Sequence, residues 1–161
     1  RSNMFKGMSS LTNLNISSFD TSAVTDMSNM FNGLSSLTTL NISSFRTPNV
    51  TNMEKMFYDM QRVTSLDVSN FVTTNVTDMN GMFYNMYSLT SLSVTNFNTA
   101  SVTDMSYMFS KLRISTIDVS NFNTANVTNM NHMFSGSNFN GEISRWNVSN
   151  VEQMACMFDD L

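Results

Sequence analysis

The chain has 161 residues, of which 41% are hydrophobic and only 12% are charged, and its net charge is −4. This length suits one domain with a buried core. The eight basic residues are scattered along the chain, which argues against a nucleic-acid partner because that would need a basic stripe. No stretch approaches the ~18 apolar residues of a membrane-spanning helix, so no membrane insertion is predicted.

A Met-Phe pair recurs along the whole chain at almost constant spacing. The steps between successive phenylalanines are 26, 26, 26, 26, 25 and 24 residues. The phenylalanines that end the units are Phe5, Phe31, Phe57, Phe83, Phe109, Phe134 and Phe158. A fixed period in this range predicts a stack of short units, each burying its apolar face against its neighbours.

The first half of each unit is predicted to form a short strand. In the unit LSSLTTLNISSFRTPNVTNMEKMF (34–57), Leu40 and Ile42 are two residues apart, so both would face the core while Asn41 faces solvent. The equivalent pairs are Leu14/Ile16, Leu66/Val68, Leu92/Val94 and Ile117/Val119. One strand per turn would pair in parallel with the next, about 4.8 Å away.

The second half of each unit is predicted to form a short helix. Val50, Met53, Met56 and Phe57 lie at offsets typical of one helical stripe, and Thr47 is a suitable capping residue before it. The sixteen methionines of the chain recur at such positions, so we expect them to fill the core rather than to bind metal.

Two further columns repeat with the units. The second aromatic column contains Phe19, Phe45, Phe71, Phe97 and Phe122, and Trp146 succeeds them in the last unit. The threonine column contains Thr21, Thr47, Thr73, Thr99 and Thr124. Because identical residues at one register lie above each other, the threonines are expected to hydrogen-bond along the stack.

These patterns together predict an α/β solenoid of the leucine-rich-repeat type, comprising residues 1–161 as a single repeat domain. It would be a right-handed stack of about six turns of 24–26 residues, with one short parallel strand and one short helix per turn. The opening RSNMF corresponds to MSNMF at 27–31, so the sequence is expected to be a fragment of a longer protein.

The repeated segments resemble a known family. They include VTSLDVSNF (63–71), NVTDMNGMF (75–83) and FNGEISRWNVSNVEQMACMF (139–158). These resemble the 26-residue repeat of bacterial surface proteins called BspA-like leucine-rich-repeat proteins, which include mycoplasma lipoproteins and wall-anchored proteins of lactobacilli and listeriae. The resemblance implies an extracellular, cell-surface location and a role in adhesion or host interaction.

Enzymatic chemistry is not predicted. His132 is the single histidine and Cys156 the single cysteine, and the position of His132 carries Asn29, Lys55, Gly81 and Tyr107 in other turns. No Ser-His-Asp, Cys-His or His-rich metal arrangement is therefore predicted. No cofactor and no metal are predicted. Cys156 excludes an internal disulfide and is expected to be an ordinary thiol, with an intermolecular disulfide as the alternative.

Acidic residues fall into two ladders. Asp26, Asp78 and Asp104 stand where the helices would begin, so they are expected to interact favourably with the helix dipole. The second ladder, on the outward side of the strands, contains Asn15, Asn41, Asp67, Ser93 and Asp118. Its oxygens in neighbouring turns offer an alternative Ca²⁺ site.

The exposed face of the predicted sheet is the candidate binding surface. We call it the hydroxyl–amide face, and it contains Thr39, Asn41, Ser43, Ser65, Asp67, Ser69, Ser91, Ser93, Thr95, Thr116, Asp118 and Ser120. The expected function is non-enzymatic adhesion or binding to a protein or glycan on a host or neighbouring cell. The alternative is a structural spacer or stalk that projects another domain from the cell surface.

The two ends of the chain fall at the same point of the repeat. If no polar capping unit covers Arg1 or Leu161, the end turns expose apolar columns and unpaired edges. End-to-end self-association is therefore a further expected interaction.

Overall fold

The computed structural model describes residues 2–160, and these contain neither a helix nor a continuous strand. Regular pairing is limited, in this range, to isolated parallel bridges: Asp26–Asn52, Asn52–Asp78, Asp78–Asp104, Asp104–Asn129, Asn129–Gln153 and Ser65–Ser91. The predicted α/β solenoid of the leucine-rich-repeat type, with one short strand and one short helix per turn, is therefore wrong. Turns and irregular backbone make up the rest of the described residues.

Successive turns are joined by a ladder of backbone hydrogen bonds. In the segment after Asn52, the N–H groups of Met53, Lys55 and Phe57 donate to the carbonyls of Asp78, Asn80 and Met82, at 2.8 to 3.0 Å. The intervening N–H groups donate three residues back, as from Met56 to Met53 and from Tyr58 to Lys55, each at 3.3 Å. A helix would direct every N–H group four residues back within its own turn, so this alternation replaces the predicted helix.

Residues with positive φ explain why the chain does not continue into a helix. Each turn places two such residues four positions apart, for example Asn29 (57°) with Gly33 (82°) and Lys55 (53°) with Asp59 (63°). A left-handed backbone at these positions interrupts the right-handed path of an α-helix. The spacing of Val50, Met53, Met56 and Phe57 thus arises from successive tight turns, and all four side chains are buried.

Aromatic rings form the centre of the core. Phenylalanines of the Met-Phe pairs stack on one another with ring centroids 5.7 to 5.9 Å apart along the chain. Each ring of the second aromatic column packs on the ring of the preceding Met-Phe pair, as Phe71 does on Phe57 at 6.1 Å. Core methionines such as Met53 and Met79 are fully buried, as predicted.

Side-chain hydrogen bonds also join the turns in the segments that follow the predicted strand positions. The buried Thr73 donates to the carbonyl of Asn98 and accepts from its N–H group, both at 2.8 Å. Asn96 Nδ2 donates to the carbonyls of Val68 and Phe71 at 3.0 and 3.2 Å. The threonines therefore bond along the stack to backbone groups of the next turn, and not to one another.

The last turn keeps the stack with different residues. Phe139 stacks on Phe134 at 3.9 Å, and Trp146 stacks on Phe122 at 6.2 Å. Trp146 Nε1 also donates to Val119 at 3.2 Å, a bond that an asparagine side chain makes in earlier turns. Gly141 is required here, because a Cβ atom would lie 2.5 Å from the Phe139 ring.

Apolar side chains are exposed in the outermost described turns. Met4 is 37%, Met154 44% and Phe158 42% exposed, whereas Phe134, the equivalent of Phe158 one turn earlier, is fully buried. The prediction about caps at Arg1 and Leu161 lies outside the described residues. Between residues 2 and 160 no helix is long and apolar enough to cross a membrane.

Candidate functional site

Every member of the hydroxyl–amide face is exposed to solvent. Buried neighbours alternate with its members, as Leu66 and Val68 do with Ser65, Asp67 and Ser69. This alternation holds without a continuous strand, and only Ser65 and Ser91 form a bridge within the face across the described residues. A shallow groove between two turns is lined by the residues from Ser65 to Ser69 and from Ser91 to Ser93.

The polar groups of this face are largely engaged in local turns. Asp118 Oδ1 accepts from the N–H group of Ser120 at 3.0 Å and from its hydroxyl at 2.6 Å. These two bonds, the hydroxyl first, hold the pKa of Asp118 below its ordinary value, and Ser69 lowers the pKa of Asp67 in the same way. Asn41 makes the same bond to the N–H group of Ser43 without a charge, so the turn needs an acceptor rather than an anion.

The first acidic ladder has a role different from the predicted one. Asp26, Asp78 and Asp104 lie in the parallel bridges, and each accepts a hydrogen bond from the N–H group two residues on. Asn52 and Asn129 do the same in intervening turns. There is no helix for them to begin. Partial burial raises the pKa of Asp78, and the Asp104 carboxylate raises it further.

The remaining reactive groups do not gather into a site. Cys156 is an exposed thiol, and its pKa is raised by a hydrogen bond with Asp159. His132 is half-buried and stacks on Tyr107, with ring centroids 4.7 Å apart. Within residues 2–160, histidine, cysteine and acidic side chains form no group of three or more that could hold a metal ion.

A row of exposed and half-buried aromatic side chains lies outside the hydroxyl–amide face. We call it the tyrosine row, and its members are Tyr58, Tyr84, Tyr107 and His132. Tyr58 and Tyr84 stack with ring centroids 4.4 Å apart. Tyr84 meets Tyr107 edge-on at 6.1 Å, so four successive turns contribute one ring each.

Two lysines lie over this row. Lys55 Nζ is 5.7 Å from the Tyr58 ring centroid, and Lys111 Nζ is 5.4 Å from that of Tyr84. Both distances fit a cation–π interaction. A cavity of about 290 Å³ lies among Lys55, Tyr58, Asn80, Tyr84 and Tyr107.

The tyrosine row was not predicted, although the sequence contains a sign of it. Tyr58 and Tyr84 follow Phe57 and Phe83 directly, so they stand at the same repeat position. Their stacking depends on the turns being adjacent, which the period predicts. Tyr107 stands instead at the position of Lys55 and Gly81, and its contribution required the geometry of the turns.

Comparison with known families identifies the chain. A family model described as "Mycoplasma protein of unknown function, DUF285" matches residues 1–113 and 87–161, which together include every residue. The chain belongs to this family. No curated protein and no solved structure matches it at a significant level. Membership of the DUF285 family agrees with a repeat-containing protein, does not identify the BspA-like group specifically and assigns no activity.

Proposed function

We propose that the chain is a non-enzymatic binding module of an extracellular bacterial protein, and that it contacts a protein or glycan on a host or neighbouring cell. The observation that carries this proposal is the repetition of exposed polar side chains at one register over a fully buried core. Such a surface can offer many weak contacts to an extended partner. The resemblance to BspA-like surface proteins supports the location and the adhesive role.

The hydroxyl–amide face is the proposed contact surface. Its charge can be tested without disturbing its turns, because asparagine already accepts the equivalent bond at Asn41. The double variant Asp67→Asn/Asp118→Asn therefore removes two charges and keeps both acceptors. A glycan array and cell binding by flow cytometry compare it with the unchanged chain. Weaker binding supports the face, whereas equal binding moves the contact elsewhere.

A spacer is the second candidate, because almost every turn repeats the same ladder of hydrogen bonds. Deletion of residues 58–83 removes one whole unit and joins Phe57 to Tyr84, which preserves the repeat register. A spacer would become shorter with unchanged affinity for any partner. A binding module should lose affinity, because the deletion removes Ser65, Asp67 and Ser69 from the face.

A further inference from the structure

The cavity beside the tyrosine row has the composition of a small-ligand site. Three consecutive turns supply its lining: Lys55 and Tyr58 from one, Asn80 and Tyr84 from the next, and Tyr107 from the third. Its volume of about 290 Å³ is just below the range of small-molecule pockets, ~300–1,000 Å³. It can therefore hold one small ring, and it shares no residue with the hydroxyl–amide face.

The walls of this cavity are held in place before any ligand arrives. Tyr58 and Tyr84 fix each other by stacking at 4.4 Å, and Tyr107 is held between Tyr84 and His132. Asn80 is tied to Ser106 through its side-chain amide. A preformed wall reduces the ordering cost of binding.

The repeat backbone places two of the lining side chains. Lys55 and Tyr107 have φ values of 53° and 59°, and positive φ recurs at the same position of every turn, for example at Asn29 and His132. The left-handed conformation is therefore a property of the repeat. These two turns differ from the others in placing a side chain that lines the cavity at this position.

The chemistry of the lining selects the ligand. Lys55 is the only ionic side chain among the described residues that line the cavity, and its ammonium lies 3.9 Å from Glu54 in a loose ion pair. The ring faces are already occupied by other rings and by the lysines. Phenol hydroxyls, ring edges and an amide remain, and a ligand carboxylate would have to draw the Lys55 ammonium away from Glu54 and from the Tyr58 ring. This set favours a ligand rich in hydroxyls and carrying one negative charge.

We infer that this cavity binds a pyranose sugar that carries a carboxylate. The carboxylate would lie near the Lys55 ammonium, and the sugar hydroxyls would bond to Asn80 and to the tyrosine hydroxyls. A nucleotide fits less well, because its base would need a free ring face on which to stack. The inference rests on the proposed binding function and adds a second site to it.

Titration of the ¹⁵N-labelled chain with glucuronic acid and with N-acetylneuraminic acid tests this inference. Glucose serves as the neutral control and uridine monophosphate as the nucleotide control. Binding of either acidic sugar should shift the amide signals of Tyr84 and Tyr107. Lys55→Gln should weaken it about tenfold or more, since a charge-assisted bond is lost, whereas Lys6→Gln should leave it unchanged.

Tyr84→Phe removes the hydroxyl and keeps the ring, so it tests whether the hydroxyl contributes to binding. Tyr87→Phe is its control, because Tyr87 is exposed and lies outside the cavity. Weaker binding by Tyr84→Phe alone supports the inference. Binding of glucose or of the nucleotide as tight as that of the acidic sugars overturns it. Absence of acidic-sugar binding, with cell binding retained, overturns this inference alone. Loss of all cell and glycan binding overturns the proposed function as well.

Discussion

Replacing Thr73 by valine tests how the turns are joined. Thr73 is 1% exposed, and its hydroxyl makes two hydrogen bonds to Asn98, one to the carbonyl and one from the N–H group, both at 2.8 Å. Valine has almost the same shape and cannot make either bond. The substitution therefore leaves the core volume nearly unchanged and removes only the link between turns.

The expected cost is large for one hydroxyl group. Each buried backbone group left without a partner costs about 1–3 kcal/mol, and the substitution affects two partly buried groups. Two fully buried groups would cost about 2–6 kcal/mol. Because Asn98 is exposed and the two groups are only partly buried, the free energy of unfolding should fall by the lower part of that range, about 2–4 kcal/mol. Thr74→Val is the matched control, because Thr74 is exposed, and a surface change of this kind usually stays within about 0.5 kcal/mol.

Urea unfolding measures both variants. Fluorescence of Trp146 reports the last turn and far-UV circular dichroism reports the backbone of the whole chain, so coincident curves also show whether the stack unfolds as one unit. If Thr73→Val is no less stable than Thr74→Val, the threonine column does not join the turns.

Three further predictions concern backbone strain, pH and assembly. Gly81→Ala should destabilise the chain by about 1 kcal/mol or more, because φ is 59° and the new Cβ would lie 3.2 Å from a neighbouring side chain. Gly7→Ala is the control, since φ is 76° there and no atom lies within 4 Å of the new Cβ. Thermal unfolding should show a smaller loss of stability for Gly7→Ala. Burial raises the pKa of Asp78, so the folded chain binds this proton more tightly than the unfolded chain does. The contribution of Asp78 to stability therefore falls as pH rises above about 4. Asp78→Asn should reduce this fall in the free energy of unfolding, measured with urea between pH 4 and 7, and an unchanged pH dependence would contradict the role of Asp78. The 161-residue polypeptide should associate with rising concentration in light scattering, and Met154→Gln, which replaces a side chain that is 44% exposed, should weaken the association; a monomer at every concentration would contradict this.

The period and the burial pattern could be predicted from the sequence. Phenylalanines and methionines at fixed register had to stack, and the alternation of Leu66 and Val68 with exposed residues holds in the structure. These features depend only on which apolar side chains are buried on folding. They do not require knowledge of the backbone conformation.

The secondary structure could not be predicted in the same way. Apolar residues three and four apart suit a helix, and a series of tight turns produces the same spacing. Asn29, Gly33 and Gly81 were the available signal, because asparagine and glycine adopt positive φ most readily. Lys55 and Tyr107 give no such signal, and both belong to the cavity that sequence analysis missed.

The turns of this chain are joined by hydrogen bonds between units rather than within helices. Scalar couplings across hydrogen bonds in a ¹⁵N,¹³C-labelled chain measure this directly. The amide of Phe83 should couple to the carbonyl of Met108, to which it donates at 3.1 Å. Coupling of the Phe83 amide to the carbonyl of Met79 instead, four residues back, would show that this segment is an α-helix.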